Sequence, residues 1–269
     1  MSYRLKKLKY SIKKYLNFDE KHFVSFPKSG RTWVRMFLSH YYFSCYPLSI
    51  TARNRLFYDS KIPNMVFSHG AHNDYGESCL KDIKKESYRL RNKQKILLLR
   101  DPRDVIISYY FQITKRIPES ASKNKINTIS DIIEHKNLGF KRIIEFMNCW
   151  HKYSREKNSI VVFYEELRKH PEKEFSKILK HLGETDINEK ALFKSIEETS
   201  FEKMKKKEKE KISQSKYLNA ANPKDKNSYK SRKGKIKGFY DYLSEKEVQK
   251  LNTQMLGLSS ELKLFYLDN

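Results

Sequence analysis

Two strand-to-helix turns constrain this chain more than anything else in it. The first runs from His22-Phe23-Val24-Ser25-Phe26 into Pro27-Lys28-Ser29-Gly30-Arg31-Thr32-Trp33 and on into an apolar helix. The second runs from Ile96-Leu97-Leu98-Leu99 into Arg100-Asp101-Pro102-Arg103-Asp104 and a helix that carries Ser108. Each sets a cation and a helix N-terminus at the carboxyl end of a buried strand, the edge where open α/β sheets bind ligands. Free N–H groups and the positive end of the helix dipole suit each turn to an anion. Two such turns imply a ligand with two separated anionic groups.

The rest of the core alternates in the same way. Phe23–Phe26, Met65–Ser68, Lys95–Leu99 and Ile160–Phe163 read as strands. Thr32–Phe43, Arg103–Lys115, Phe140–Arg155 and Pro171–Leu182 read as helices, the last with Pro171 in its first turn and Gly183 just past its end. Alternating strands and helices predict a single α/β domain, a parallel sheet flanked by helices on both faces. The length of 269 residues suits one such domain from about residue 21 to 269. Two stretches read as irregular: Pro118–Asn127, rich in Ser, Lys and Asn, and the lysine-dense Lys203–Lys233, expected to be a mobile cap loop because like charges resist compaction.

With 56 basic against 32 acidic residues the formal charge is +24, so the surface favours anionic partners without choosing among nucleotides, acidic glycans, nucleic acid and anionic lipid. The basic segment 1–20 spaces Leu5, Leu8, Ile12, Tyr15 and Leu16 at helical intervals. It reads either as a helix on an anionic membrane surface or, the reading favoured by its short apolar stripe, as a helix packed on the domain or a loose tail. Cys45, Cys79 and Cys149 are odd in number and widely spaced, as free thiols in a reducing compartment would be. No apolar run has the length of a membrane span, and lysines interrupt any signal-peptide core, so a cytoplasmic location is the expectation.

Within the first turn, Gly30 permits a tight approach of the backbone to an anion, and Ser29 through Trp33 aim N–H groups into one concavity. Lys28 precedes the glycine, so this P-loop-like turn is not the G-x-x-x-x-G-K-[ST] loop of nucleoside triphosphatases. Alone, Gly-Arg would pass for an ordinary turn with a solvated lysine; the seven-residue run between strand and helix favours anion binding. In the second turn Pro102 pre-sets a helical φ and Asp104 sits at the positive dipole end; a surface ion pair of Arg100 with Asp104 is the plainer alternative.

Together these runs resemble the sulfotransferases that use 3'-phosphoadenosine 5'-phosphosulfate, whose 5'-phosphosulfate loop reads Pro-Lys-Ser-Gly-Thr-Thr-Trp; this chain departs only at Arg31. The resemblance implies that Lys28 stabilises the oxygen bridging phosphate and sulfate, that Thr32 bonds the 5'-phosphate and that Trp33 packs on the adenine. It places Arg100, and Ser108 eight residues later, on the 3'-phosphate. Val161-Val162-Phe163-Tyr164-Glu165-Glu166-Leu167 resembles the strand whose tyrosine, here Tyr164, edges the adenine pocket. Arg232-Lys233-Gly234 resembles the C-terminal run that closes on the 3'-phosphate, although Lys237-Gly238-Phe239 stand where the family continues Gly-x-x-Gly-Asp-Trp. Trp150 and the pair Ser200-Phe201 also fit, and the similarity spans about Phe23 to Leu243. The implied cofactor set is therefore Lys28, Ser29, Gly30, Arg31, Thr32, Trp33, Arg100, Ser108, Tyr164, Arg232, Lys233 and Gly234, with Lys28, His69 and Ser108 as the catalytic set.

Transfer to a hydroxyl needs a group that takes its proton, and a neutral histidine suits pH 7. His69, in Phe67-Ser68-His69-Gly70 after a short strand, matches the family's histidine, and His72 is its competitor. His22, His40, His135, His151, His170 and His181 read as structural. No H-E-x-x-H, paired Cys/His cluster or calcium loop is present, and no metal is expected. A P-loop-type kinase lacks the G-K-[ST] it would need, and a basic nucleic-acid-binding protein leaves both turns unexplained. The expected acceptor is a small molecule, glycan or lipid bound by the loops Tyr46–Tyr58, His72–Ser78 and Gln112–Asn127, with the basic surface favouring an acidic or carbohydrate acceptor over a small phenol.

Overall fold

The structure, a computed structural model, describes residues 20–46, 62–72, 79–117, 126–210, 218 and 220–267. The basic N-terminal segment, most of the loops Tyr46–Tyr58 and His72–Ser78, and residues 118–125 lie outside the described residues.

The elements follow one another as β1 (Lys21–Ser25), α1 (Arg31–Cys45), β2 (Met65–Ser68), α2 (Leu80–Arg89), β3 (Lys95–Leu99), α3 (Pro102–Arg116), α4 (Ile129–Glu134), α5 (Phe140–His151) and β4 (Ser159–Phe163). Then come α6 (Tyr164–Lys169), α7 (Pro171–Leu182), α8 (Glu189–Glu198), α9 (Phe201–Lys209), two short 3-10 turns at Lys226–Ser228 and Gly238–Asp241, α10 (Glu245–Met255) and α11 (Ser260–Leu267). The four strands form one sheet in the order β2-β1-β3-β4, every pair parallel.

Because side chains alternate across a strand, each β-strand feeds both faces of the sheet. Val24, Leu97 and Leu99 pack with α3, α4, α5, α10 and α11 on one face. Phe23, Ile96, Leu98 and Val162 pack with α1, α7 and α8 on the other. All five residues of β3 are buried, as expected of a central strand in a two-sided parallel sheet.

Parallel pairing also sends all four strand ends to one edge. The turn 26–30 leaves β1 there, His69 follows β2, Arg100 follows β3, and β4 runs directly into Tyr164. Local chemistry fixes the two helix starts at this edge. Gly30 adopts φ 105° ahead of α1, and Asp101 caps α3 by accepting from the Arg103 N–H at 2.9 Å, with Pro102 in the first turn.

Two expectations need correction. The helix expected over Phe140–Arg155 stops at His151, where the Ser154 hydroxyl donates to its carbonyl at 2.7 Å and closes the end. The segment Lys203–Lys233 is not irregular throughout, since its first residues belong to α9. There Ser200 caps the helix, and Lys203 and Lys207 each meet Glu198 at 2.9 Å, so interspersed acids offset the like charge. Residues 211–217 of this segment lie outside the described residues.

Candidate active site

The turn after β1 is built from two left-handed residues, Lys28 at φ 69° and Gly30 at φ 105°. Any side chain at position 30 would meet the Tyr164 ring 2.7 Å from its Cβ, so only glycine fits the conformation and the space. The turn delivers Lys28 into a cavity at the carboxyl edge of the sheet, with its Nζ 3.5 Å from Gln112 Oε1. Burial, then the nearby Arg116 and Lys230, push the Lys28 ammonium down to about 7.

Arg100 ties three parts of the cavity wall together. It donates to the Lys28 carbonyl at 3.2 Å and the Lys235 carbonyl at 3.3 Å, and lies 3.6 Å from Asp104. Its guanidinium stacks 4.3 Å over the Tyr164 ring. The expected alternative of a surface ion pair is thus half right: the Arg100–Asp104 pair exists, but Asp104 is buried and Arg100 nearly so. Ser108, two turns along α3, lines the same cavity.

The C-terminal segment reaches the site because two buried carboxylates hold its backbone. Glu208 of α9 accepts from the N–H groups of Lys230 at 2.7 Å and Ser231 at 2.9 Å and lies 3.8 Å from Arg116. Asp104 accepts from the Phe239 N–H at 2.9 Å. This bond fixes the path of Lys237-Gly238-Phe239, where the chain departs from the expected motif: Lys237 turns left-handed at φ 56° and the 3-10 turn docks on the start of α3. Arg232 stacks 4.1 Å over Phe111 and bonds the Tyr242 hydroxyl, while Lys233 pairs with Asp241 at 2.9 Å. Gly234 is left-handed, and a Cβ there would stand 2.4 Å from the Phe201 ring.

His69 stands where β2 ends beside β1. Its Nδ1 is 3.1 Å from the Ser25 carbonyl, which can only accept, so Nδ1 carries the proton and Nε2 holds a lone pair. The Arg31 guanidinium bonds that Nε2. Burial, then Arg31, push the imidazole down to about 3, so it is neutral at pH 7.

Of the expected residues, Lys28, Gly30, Arg31, Thr32, Trp33, His69, Arg100, Ser108, Tyr164, Arg232, Lys233 and Gly234 all line this one cavity. Ser29 is buried behind it, and His72 does not line it: it is buried, bonds Tyr109 Oη at 2.8 Å and packs on Phe26 with ring centroids 4.3 Å apart. Arg168 and Lys230 line the cavity without having been singled out in the sequence, and Gln112 and Arg116, expected in the loop Gln112–Asn127, line it from the end of α3 instead. Lys230 and Glu208 carried no signal in the sequence. Arg168 lies 5.7 Å from the Trp33 ring and 5.8 Å from that of Phe201, on the apolar side of the cavity.

Comparison with known proteins matches residues 21–256 to the family described as "Sulfotransferase domain". Among curated relatives, Sulfotransferase 1B1 of Mus musculus is 26% identical over 208 residues, which cover 68% of this chain and 64% of the relative. Sulfotransferase 1 family member D1 of Mus musculus is 32% identical over 115 residues, 41% of this chain and 37% of the relative. Amine sulfotransferase of Oryctolagus cuniculus is 23% identical over 192 residues, 70% and 63% of the two. The chain therefore spans less than two thirds of each of these relatives. Among solved structures, mouse sulfotransferase SULT7A1 complexed with PAP superposes with a TM-score of 0.61 at 19% identity, covering 90% of this chain and 86% of that one. Retinol dehydratase in complex with androsterone and inactive cofactor PAP gives 0.60 at 14%, covering 88% and 79%. These two likenesses establish the shared α/β fold.

Proposed function

The chain belongs to the sulfotransferase domain family, and from that premise we propose that it transfers a sulfuryl group from 3'-phosphoadenosine 5'-phosphosulfate to a hydroxyl or amine of an acceptor. The observation that carries this reading is the meeting of Lys28, Arg100, Ser108, Arg232 and His69 in one cavity, from four separate stretches of chain.

The residues present fit the nucleotide. Arg100 Nε and Trp33 Nε1 are buried without a hydrogen-bond partner among the described residues, polar groups that a ligand would satisfy. Gly30 and Gly234 keep the backbone close to the cavity where a Cβ would not fit. Lys28 and the N–H groups at the start of α1 would hold the 5'-phosphosulfate, and Arg100, Ser108, Arg232, Lys233 and Gly234 the 3'-phosphate. Trp33, Tyr164 and Phe201 offer aromatic faces for the adenine.

When bound, the nucleotide supplies the sulfuryl group: the acceptor oxygen bonds sulfur as the bond from sulfur to the bridging oxygen breaks, and the electron pair leaves on that oxygen. Lys28, held charged by the bound anion, would set a cation where that charge develops, the arrangement in which one donor contributes most. His69 takes the acceptor's proton at Nε2, and the Ser25 carbonyl keeps the ring in the tautomer this requires.

Thermal melting tests the reading cheaply. Adenosine 3',5'-bisphosphate at 100 times its Kd should add about 2.7 kcal/mol of stability, a Tm rise on the order of 5–10 °C for a chain of this size. ATP with magnesium at the same concentration should give much less. Equal shifts from both, or none from the bisphosphate, would overturn the assignment; labelled sulfate transfer onto a panel of phenols, glycans and lipids then identifies the acceptor.

A further inference from the structure

Arg31 stands at the position where the chain departs from its family's loop, and its side chain crosses to the group assigned as the base. Position 31 opens α1 next to the Lys28 turn, and the pairing of Val24 with Ser68 brings the end of β2 alongside. The guanidinium bonds Nε2 of His69, the atom that must receive the acceptor's proton. With a neutral acceptor this contact works against transfer, because a donor already occupies the lone pair.

The charge around that contact is strongly one-sided. Lys28, Arg31, Arg116 and Lys230 all line the cavity, while Asp104 is the only carboxylate among the described lining residues and lies against Arg100. Glu208 sits behind Arg116 and is engaged by the backbone of Lys230 and Ser231. On the reading above, Lys28 is assigned to the phosphosulfate, and Arg100, Arg232 and Lys233 to the 3'-phosphate. That leaves Arg31 and Lys230 as lining cations assigned to neither phosphate and felt by the base.

Resting on that reading, we propose that the acceptor carries an oxyanion, a carboxylate or a sulfate or phosphate ester, close to its nucleophilic hydroxyl, and that Arg31 binds it. A guanidinium presents a planar fork of donors matched to a carboxylate or sulfate, and charge-assisted bonds are roughly twice as strong as those to a neutral acceptor such as imidazole. The anion therefore draws Arg31 away from Nε2 and exposes the lone pair as the acceptor arrives. It also offsets the positive charges of Arg31, Arg35 and Lys230 that depress the basicity of His69. Acceptor charge thus serves both selection and activation of the base.

The test uses the full chain saturated with adenosine 3',5'-bisphosphate, so that the phosphate sites are filled before the probe is added. Calorimetry compares 3-hydroxybenzoate and 3-hydroxybenzenesulfonate with the neutral 3-hydroxybenzyl alcohol. The two anions should bind about 10-fold or more tighter than the alcohol, and kcat/KM for labelled sulfate transfer should follow the same order. In Arg31→Thr that ratio should collapse to within about 3-fold, and Arg31→Lys should restore part of it, since it keeps the charge without the fork. An alcohol that binds wild type as tightly as the anions overturns the proposal, as does an Arg31→Thr variant that weakens all three probes alike. The wild-type ratio stands as a test even should a variant fail to fold. Failure of the bisphosphate itself to bind overturns the transferase reading, whereas bisphosphate binding without preference for anionic probes overturns this inference alone.

Discussion

Binding of adenosine 3',5'-bisphosphate should draw protons out of solution, and the cavity's own cations give the number. Burial and the neighbouring Arg116 and Lys230 hold the Lys28 ammonium down to about 7, and burial and Arg116 hold Lys230 down to about 8. Glu208 opposes both shifts, while Arg232 adds to the first and Arg31 and Arg35 to the second. At pH 8 the free protein would have Lys28 about one-tenth and Lys230 about half protonated. The phosphosulfate-site anion placed against Lys28 returns it to the ordinary lysine range, while Lys230, assigned to neither phosphate, keeps its own, so about 0.9 protons are taken up per nucleotide. The sign follows from which form the ligand prefers. It favours charged lysine, and the free protein already supplies that form below pH 7, so uptake and its affinity penalty set in as pH rises above 7. From pH 7 to 9 Lys28 alone should weaken binding about 50-fold, in a range where the phosphates stay fully ionised. Calorimetry at pH 8 in Tris and in a buffer of low ionisation enthalpy reads the protons directly. Lys28→Met should abolish most of the uptake. Uptake near zero in wild type, or uptake unchanged in Lys28→Met, would refute the picture of a buried, anion-seeking lysine.

Three further outcomes follow from the contacts. Arg100→Ala should weaken adenosine 3',5'-bisphosphate by about 1.5–3 kcal/mol and leave adenosine 5'-phosphosulfate, which lacks the 3'-phosphate, little changed; equal losses would put the 3'-phosphate elsewhere. His69→Ala should abolish most transfer with bisphosphate binding retained, whereas His72→Ala, which removes a buried ring packed on Phe26 and bonded to Tyr109, should lower Tm with kcat largely kept; the reverse ranking would make His72 the base. Glu208→Ala removes the acceptor of two backbone N–H groups and the partner of Arg116, and should cost about 3–5 kcal/mol of stability, or release the Arg232–Gly234 run and weaken the bisphosphate at least about 10-fold. Near-wild-type Tm and Kd together would show that Glu208 anchors nothing.

What the sequence disclosed and what it withheld divide along a physical line. Strands and helices next to the two turns were legible because their signals are local: the unbroken Ile96–Leu99 run, Pro102 after a capping Asp101, and Pro171 and Gly183 at either end of α7. The glycine of the first turn was legible for the same reason, since its left-handed backbone favours glycine; the Tyr164 ring that also excludes a Cβ there comes from far along the chain. Glu208 was not, because in a run of alternating Lys and Glu nothing local separates it from Glu202 or Glu210; only the return of Lys230 and Ser231 to its carboxylate does. Arg31 was read through its backbone N–H alone. The partner of its side chain lies 38 positions away and is brought near by the register of β1 on β2.

The two buried carboxylates then explain how a cavity with so many cations stays folded. Each acts on the same returning segment from a different helix. Glu208 of α9 holds Lys230 and Ser231 and faces Arg116; Asp104 of α3 holds Phe239 and faces Arg100. Arg232, Lys233 and Gly234 lie between these two clamps. Each carboxylate therefore serves two groups at once, satisfying backbone N–H donors that would otherwise be buried without partners and neutralising one cation from behind. Both acids spend their charge on the wall of the cavity, and this leaves the cavity itself positive. Replacing either by an apolar residue would not simply remove an ion pair: it would free one end of the segment and add an uncompensated cation at the same place. A site arranged in this way gains its remaining counter-charge only when anions enter.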